Sequence, residues 1–246
     1  MRALLLAAGF GSRLSRVTRG GPKVLVPVAG EPLVQRSARL LAAAGIEELV
    51  VVLGYRGDDV REALECAPLP VRFVENNRYA EFQNYYSVML ARPFVEDEPF
   101  VSVNGDVLFE PALLDRVISW DSPLGVAIDE ANPLNEEAMK VQIDDRGIVR
   151  SIGKWLPVAA SFGEAMGIWR FDPASARKAF DALEERALAG ERTAYYEDVY
   201  HRAIGSHGLA FEPIPVGGLR WAEIDDENDL LNARMLFEPE ARVAAA

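Results

Sequence analysis

Short apolar runs of strand length alternate with amphipathic helical stretches through the first part of the chain, and no other feature constrains its fold as tightly. Residues 4–8 form the first run. Residues 49–53, Leu-Val-Val-Val-Leu, form the second, and such a β-branched run suits a strand covered on both faces. Between them, residues 33–44 place Leu33, Ser37, Leu40, Leu41 and Ala44 on one helical face, and Gly45 stops the pattern. Residues 58–66 open with Asp58 and Asp59, which suit the positive end of a helix. Residues 71–74, 85–92 and 99–104 continue as strand, helix and strand. This β-α-β-α-β order predicts an α/β fold with a mostly parallel sheet and helices on both faces.

After Asp106 the pattern loosens. Residues 111–118 read as helix, and residues 124–129, 139–143, 148–152 and 165–171 as strands, with Asp144-Asp145-Arg146-Gly147 as a hairpin-type turn. Helices are expected over 173–188, 195–204 and 228–237, and a frayed tail over 241–246. No repeat and no linker divides the chain, so residues 1–240 are expected to form one domain, about 1–110 making one half and about 111–240 the other.

Composition excludes several function classes. Cys66 is the one cysteine, which rules out an intrachain disulfide and a thiolate zinc site. The 26 basic residues against 38 acidic ones leave a net charge of −12, without the electrostatic footprint of a nucleic-acid binder. The apolar start ends at Gly9, too short for a signal sequence or a membrane span, so a cytoplasmic protein with no membrane partner is expected. Anionic substrates would have to be drawn by a local cluster of cations or a metal.

The strongest chemical signal is Ala7-Ala8-Gly9-Phe10-Gly11-Ser12-Arg13-Leu14, followed by Pro22-Lys23. Small residues after a buried strand let backbone N–H groups approach a phosphate chain, and Arg13 and Lys23 can neutralise it. Taken alone, the loop is equally a tight β-α turn. It is neither a dinucleotide fingerprint, since the third Gly is missing, nor a P-loop, since no Gly-Lys-Ser/Thr follows. Of the 26 basic residues only Lys23, Lys140, Lys154 and Lys178 are lysines, and three of these four fall within motifs. A compact ammonium suits a phosphate oxygen in a tight space better than the planar fork of Arg. Asp106 follows an expected strand and Asp225 follows Trp221-Ala222-Glu223-Ile224; open α/β folds place ligands at strand ends, and two carboxylates there suit Mg²⁺. Capping a turn or helix is the structural alternative for each.

The string 7–14 with Pro22-Lys23 resembles the signature of the nucleotidyltransferases that make NDP-sugars and CDP-alcohols. Val51-Val52-Leu53-Gly54-Tyr55, Asn76-Asn77-Arg78-Tyr79, Asn84-Tyr85-Tyr86-Ser87 and Asn104-Gly105-Asp106-Val107 extend the resemblance in order, most like the phosphocholine cytidylyltransferase branch. Ile152-Gly153-Lys154, Gly163-Glu164-Ala165-Met166-Gly167-Ile168 and Trp221-Ala222-Glu223-Ile224-Asp225 carry it across nearly the whole chain. The resemblance implies a Rossmann-like three-layer sandwich with a smaller acceptor-binding β/α lobe. It implies that Ala7, Ala8, Gly9, Gly11, Ser12, Arg13, Lys23, Gly54, Asn76, Asn84 and Ser87 bind the nucleotide. Asp106 and Asp225 would hold Mg²⁺, and Arg13, Lys23 and Asp106 would carry catalysis. Lys140 and Lys154 would take the acceptor's phosphate, with Trp155, Glu164, Gly167 and Glu197 around the rest of it.

The implied reaction is in-line attack of a phosphorylated or phosphonylated small molecule on the α-phosphorus of an NTP, with pyrophosphate leaving. The acceptor oxyanion is already largely ionised, because phosphate monoesters have a second pKa near ~6, so no general base is needed. CTP is the favoured nucleotide, with phosphocholine, inositol-1-phosphate and aminoethylphosphonate as acceptor types. A sugar-1-phosphate enzyme using UTP, dTTP or GTP is the alternative, and a silent nucleotide-binding module the alternative of another class. Most aromatics are expected in the core, with Trp155 the best candidate for a cation cage. His201 and His207 read as structural, and a homo-oligomer is left open.

Overall fold

The computed structural model describes residues 1–244, so Ala245 and Ala246 of the expected frayed tail lie outside the described residues. Strands Val71–Glu75, Glu48–Leu53, Arg2–Ala7 and Phe100–Asn104 lie side by side in that order, all parallel. Alternation along them explains the uninterrupted apolar runs. Leu4, Val50 and Val52 face one layer, while Ala3, Leu5, Leu49 and Val51 face the other. The first layer contains the helices Asn84–Leu90, Pro173–Leu188 and Tyr196–Ser206, the second Leu33–Ala43, Gly57–Ala63 and Pro111–Ser119. Three layers result, and both faces of the central strands are dry.

The second half extends this sheet with antiparallel pairing. Gly163–Phe171 runs against Phe100–Asn104, and is flanked by Lys140–Ile143 and Leu124–Asp129. Val149–Ile152 returns on Lys140–Ile143 through the Asp144–Gly147 turn, which closes with Asp144 N–H donating to the Ile148 carbonyl. The helix expected over 85–92 is two pieces, because Pro93 sits in the first turn of a separate short helix, Arg92–Val95. The last helix runs over Glu227–Ala244, beyond the expected end at Phe237.

Five strands escape a pattern-based reading, two of them, Pro27–Val28 and Glu31–Pro32, only two residues long. Glu212–Pro215 carries two prolines, tolerable because it is an edge strand paired only with Leu124–Asp129 among the described residues. Val107–Phe109 and Trp221–Glu223 pair antiparallel but span three residues each, too few to show a period. That small ribbon places the 221–225 segment beside Asp106, where Ile224 N–H donates to the Asp106 carbonyl at 3.1 Å. Among the described residues no helix is long and apolar enough to cross a membrane.

Candidate active site

The loop after Arg2–Ala7, the end of Phe100–Asn104 and the end of Trp221–Glu223 meet at the carboxyl edge of the parallel strands. A cleft of about 850 Å³ opens there, lined among others by Ala8, Gly9, Ser12, Arg13, Asp106 and Asp225. Asp106, Glu223 and Asp225 each bring one carboxylate oxygen within 4.8 Å of the others. The structure thus unites two acids far apart in sequence and adds a third. Glu223 was not singled out from sequence, although it precedes Asp225 by two, and residues i and i+2 of an extended segment share a face.

Lys23 holds this cluster together. Its Nζ lies 2.6 Å from Asp106 Oδ2 and 2.7 Å from Asp225 Oδ1, while Arg13 reaches the other Asp225 oxygen at 3.1 Å. Burial works against the Lys23 charge, but the two carboxylates outweigh it and raise its pKa. Asp225 responds in the opposite sense: burial favours its neutral form, yet Lys23 and Arg13 keep it below the usual carboxylate range. For Glu223, burial and the charges of Asp106 and Asp225 outweigh the opposing charge of Lys23 and push its pKa up. Gly11 makes the approach of Lys23 possible, since a Cβ there would lie 2.6 Å from Lys23 Cβ and its φ is +59°. Asp226 and Asp229 cap: Asp229 accepts from the Asp225 and Asp226 amides, and Asp226 from those of Asn228 and Asp229.

An oxygen-only donor set suits a hard divalent cation. One of its oxygens, Asp106 Oδ1, is buried without a hydrogen-bond partner. The three acids therefore fit a metal of the Mg²⁺ class.

Of the residues expected to meet the nucleoside, Asn84 and Ser87 line the cleft. Asn76 does not, contrary to expectation: it is buried, donates to Ser87 Oγ at 2.9 Å and accepts from Arg78 N–H. It braces Ser87. Ala7 and Gly54 likewise stand behind the cleft, with Gly54 packed on the Ala8 carbonyl.

Of the residues expected around the acceptor, Lys154, Glu164, Gly167 and Glu197 line the cleft. Gly167 has φ +71° at an irregularity of the Gly163–Phe171 strand and packs on the Asn104 side chain. Two expectations fail here. Lys140 is wholly buried, and its ammonium donates to the carbonyls of Asn135, Glu136 and Ala138, so it pins a cleft-lining loop and cannot take a phosphate. Trp155 is 64% exposed, lies outside the cleft and meets the His201 ring edge-on, so it forms no cage. Tyr85, Trp169 and Tyr196 sit in the core, as expected of most aromatics. His201 Nδ1 accepts from Ile152 N–H, a structural contact.

The chain is 33% identical over 97% of its length to the CMP-5'-(3-aminopropyl)phosphonate synthase of Streptomyces rubellomurinus, of which it covers 39%. It is 34% identical over 93% of its length to the bifunctional IPC transferase and DIPP synthase of Rubrobacter xylanophilus, of which it covers 50%. The chain thus spans half or less of these two relatives. The inositol-1-phosphate CTP transferase structure from T. maritima superposes with a TM-score of 0.81 at 27% identity, covering 96% of this chain and 95% of that one. The model of the MobA-like NTP transferase domain matches residues 3–194, and the chain belongs to that family.

Proposed function

We propose that this chain transfers the cytidylyl group of CTP to a small phosphorylated or phosphonylated acceptor and releases pyrophosphate. The observation that carries the reading is the convergence of Asp106, Glu223 and Asp225 around Lys23, beside the glycine loop. CTP is favoured because the relatives above are named for CMP products, CTP or IPC transfer.

The reaction brings two polyanions together, so the protein's task is alignment and charge neutralisation. The amides of the loop after Ala8 and the Arg13 guanidinium would receive the β- and γ-phosphates. Lys23, fixed by two carboxylates, presents a positive charge at the α-phosphorus and to the departing pyrophosphate. Lys154, 3.5 Å from Glu137 at the cleft wall, can exchange that exposed partner for the acceptor's phosphate. Asp106 and Asp225, with Glu223 as a third oxygen donor, would hold Mg²⁺. When bound, the metal supplies charge neutralisation at the triphosphate. No base is required, since the acceptor oxygen arrives ionised.

Pyrophosphate release with each of the four common NTPs, against phosphocholine, inositol-1-phosphate, aminoethylphosphonate and glucose-1-phosphate, tests the reading. CTP with one of the first three should dominate. Release only from UTP, dTTP or GTP with the sugar phosphate, or no release at all, would overturn it.

A further inference from the structure

Glu197 has no role in the neutralisation just described. It opens the helix Tyr196–Ser206, is 6% exposed and borders the cleft on the acceptor side. Its Oε2 is buried without a hydrogen-bond partner. The neighbouring hydroxyl, on Tyr196, is already engaged: it accepts from Trp169 Nε1 and donates to Asn104 Oδ1 at 2.9 Å. The side-chain charges acting on Glu197 are those of Asp198 and Asp106, both negative. Burial first, outweighing hydrogen bonds from its own backbone N–H and from Tyr196, and then these anions push its pKa up to about 7. Glu164 lines the same side and is raised too, chiefly by burial. A desolvated carboxylate short of a donor and surrounded by like charge is costly, and a cation with N–H bonds relieves both costs at once.

We propose that the acceptor carries an ammonium group with N–H donors in addition to its phosphonate or phosphate, and that Glu197 receives it. The proposal rests on the nucleotidyl-transfer reading above. Lys154 and Glu197, both on the cleft wall, would then take the two opposite charges of one zwitterionic acceptor. A quaternary ammonium has no hydrogen to donate to the unpartnered Oε2, whatever the aromatics of the cleft wall, such as Tyr195, Phe82 and Trp221, offer its charge. A polyol hydroxyl can donate but brings no charge against the anions.

Three acceptors differing only at the amine separate these cases: 2-aminoethylphosphonate, its N,N,N-trimethyl analogue, and ethylphosphonate, with inositol-1-phosphate alongside. Pyrophosphate release with CTP gives kcat/KM, and ³¹P NMR identifies the phosphonate anhydride formed. The wild type should favour the primary amine over the other three by about 10- to 100-fold, the range for one charge-assisted hydrogen bond. Glu197→Gln should bring the amine-to-ethyl ratio close to one, chiefly through KM for the amine. Equal or better use of the trimethyl, ethyl or inositol compound by the wild type would overturn the amine assignment while leaving nucleotidyl transfer intact. An undiminished ratio in Glu197→Gln would remove Glu197 from the role. No release with any acceptor would bring down the transfer reading, and this proposal with it.

Discussion

Replacing Lys23 with Met keeps the length of the side chain and deletes the charge that separates Asp106 from Asp225. The carboxylate oxygens of the cluster lie within 4.8 Å of one another, which at an effective dielectric of about 20 is roughly 3 kcal/mol of repulsion per pair. In the wild type, the ammonium at 2.6 and 2.7 Å cancels it. Without metal, Lys23→Met should therefore lose about 3 kcal/mol of stability, or roughly 6–12 °C in Tm for a domain of this size. A divalent cation can take over the neutralisation, so Mn²⁺ or Mg²⁺ should restore most of the loss and should stabilise the variant more than the wild type. Turnover should still fall by about 10²–10³ at saturating metal, because a placed electrostatic donor is gone from the reacting phosphorus. Thermal melts in EDTA and in a metal titration, paired with pyrophosphate release, measure all three. A variant that melts with the wild type in EDTA and gains nothing from metal would refute the idea that Lys23 neutralises these acids.

Other perturbations follow from the same geometry. Asp106→Asn should abolish metal-dependent turnover, and unchanged metal dependence would contradict its role as a ligand. Lys140→Met removes the donor of three carbonyls, of which that of Ala138 is buried, so it should cost about 1–3 kcal/mol in denaturant melts and raise the acceptor KM by loosening the 135–138 loop. Lys154→Met should raise that KM without altering the melt. Glu197 links pH to stability. Its folded pKa of about 7 lies above the ordinary 4.5, so between those values the folded chain keeps a proton that the unfolded chain has lost. Stability is then greatest below about 4.5 and declines as pH rises towards 7, by up to about 3 kcal/mol from this group. Glu197→Gln should flatten that slope and leave the apo protein more stable than the wild type at pH 8. Urea midpoints between pH 5 and 8 decide it.

The parallel half of the fold was legible because burial on both faces writes itself into single strands: 49–53 admits no polar residue, and Gly45 ends the preceding helix in plain view. The same physics concealed the ribbon that completes the site. Val107–Phe109 and Trp221–Glu223 are stabilised by each other rather than by any pattern of their own, so neither shows until the chain has folded. Glu223 went unread for that reason, because the i, i+2 relation to Asp225 has meaning only once the segment is known to be extended.

Lys140 and Lys154 make the complementary point. A lysine inside an apolar strand and a lysine after a glycine look alike as candidate phosphate ligands, and what separates them is whether nearby carbonyls satisfy the ammonium. For Lys140 they do, through the turn at 135–138 that immediately precedes it. Lys154 is left an exposed carboxylate, a partner that an incoming phosphate can replace. Glu197 is the inverse case, a carboxylate one of whose oxygens the fold leaves without a donor. A group that lowers the stability of the empty protein, while standing at the wall of the cleft, is accounted for by what enters that cleft. The ordering of the three therefore follows one criterion, the hydrogen bonds each charge still lacks after folding, and that quantity exists only in the tertiary structure.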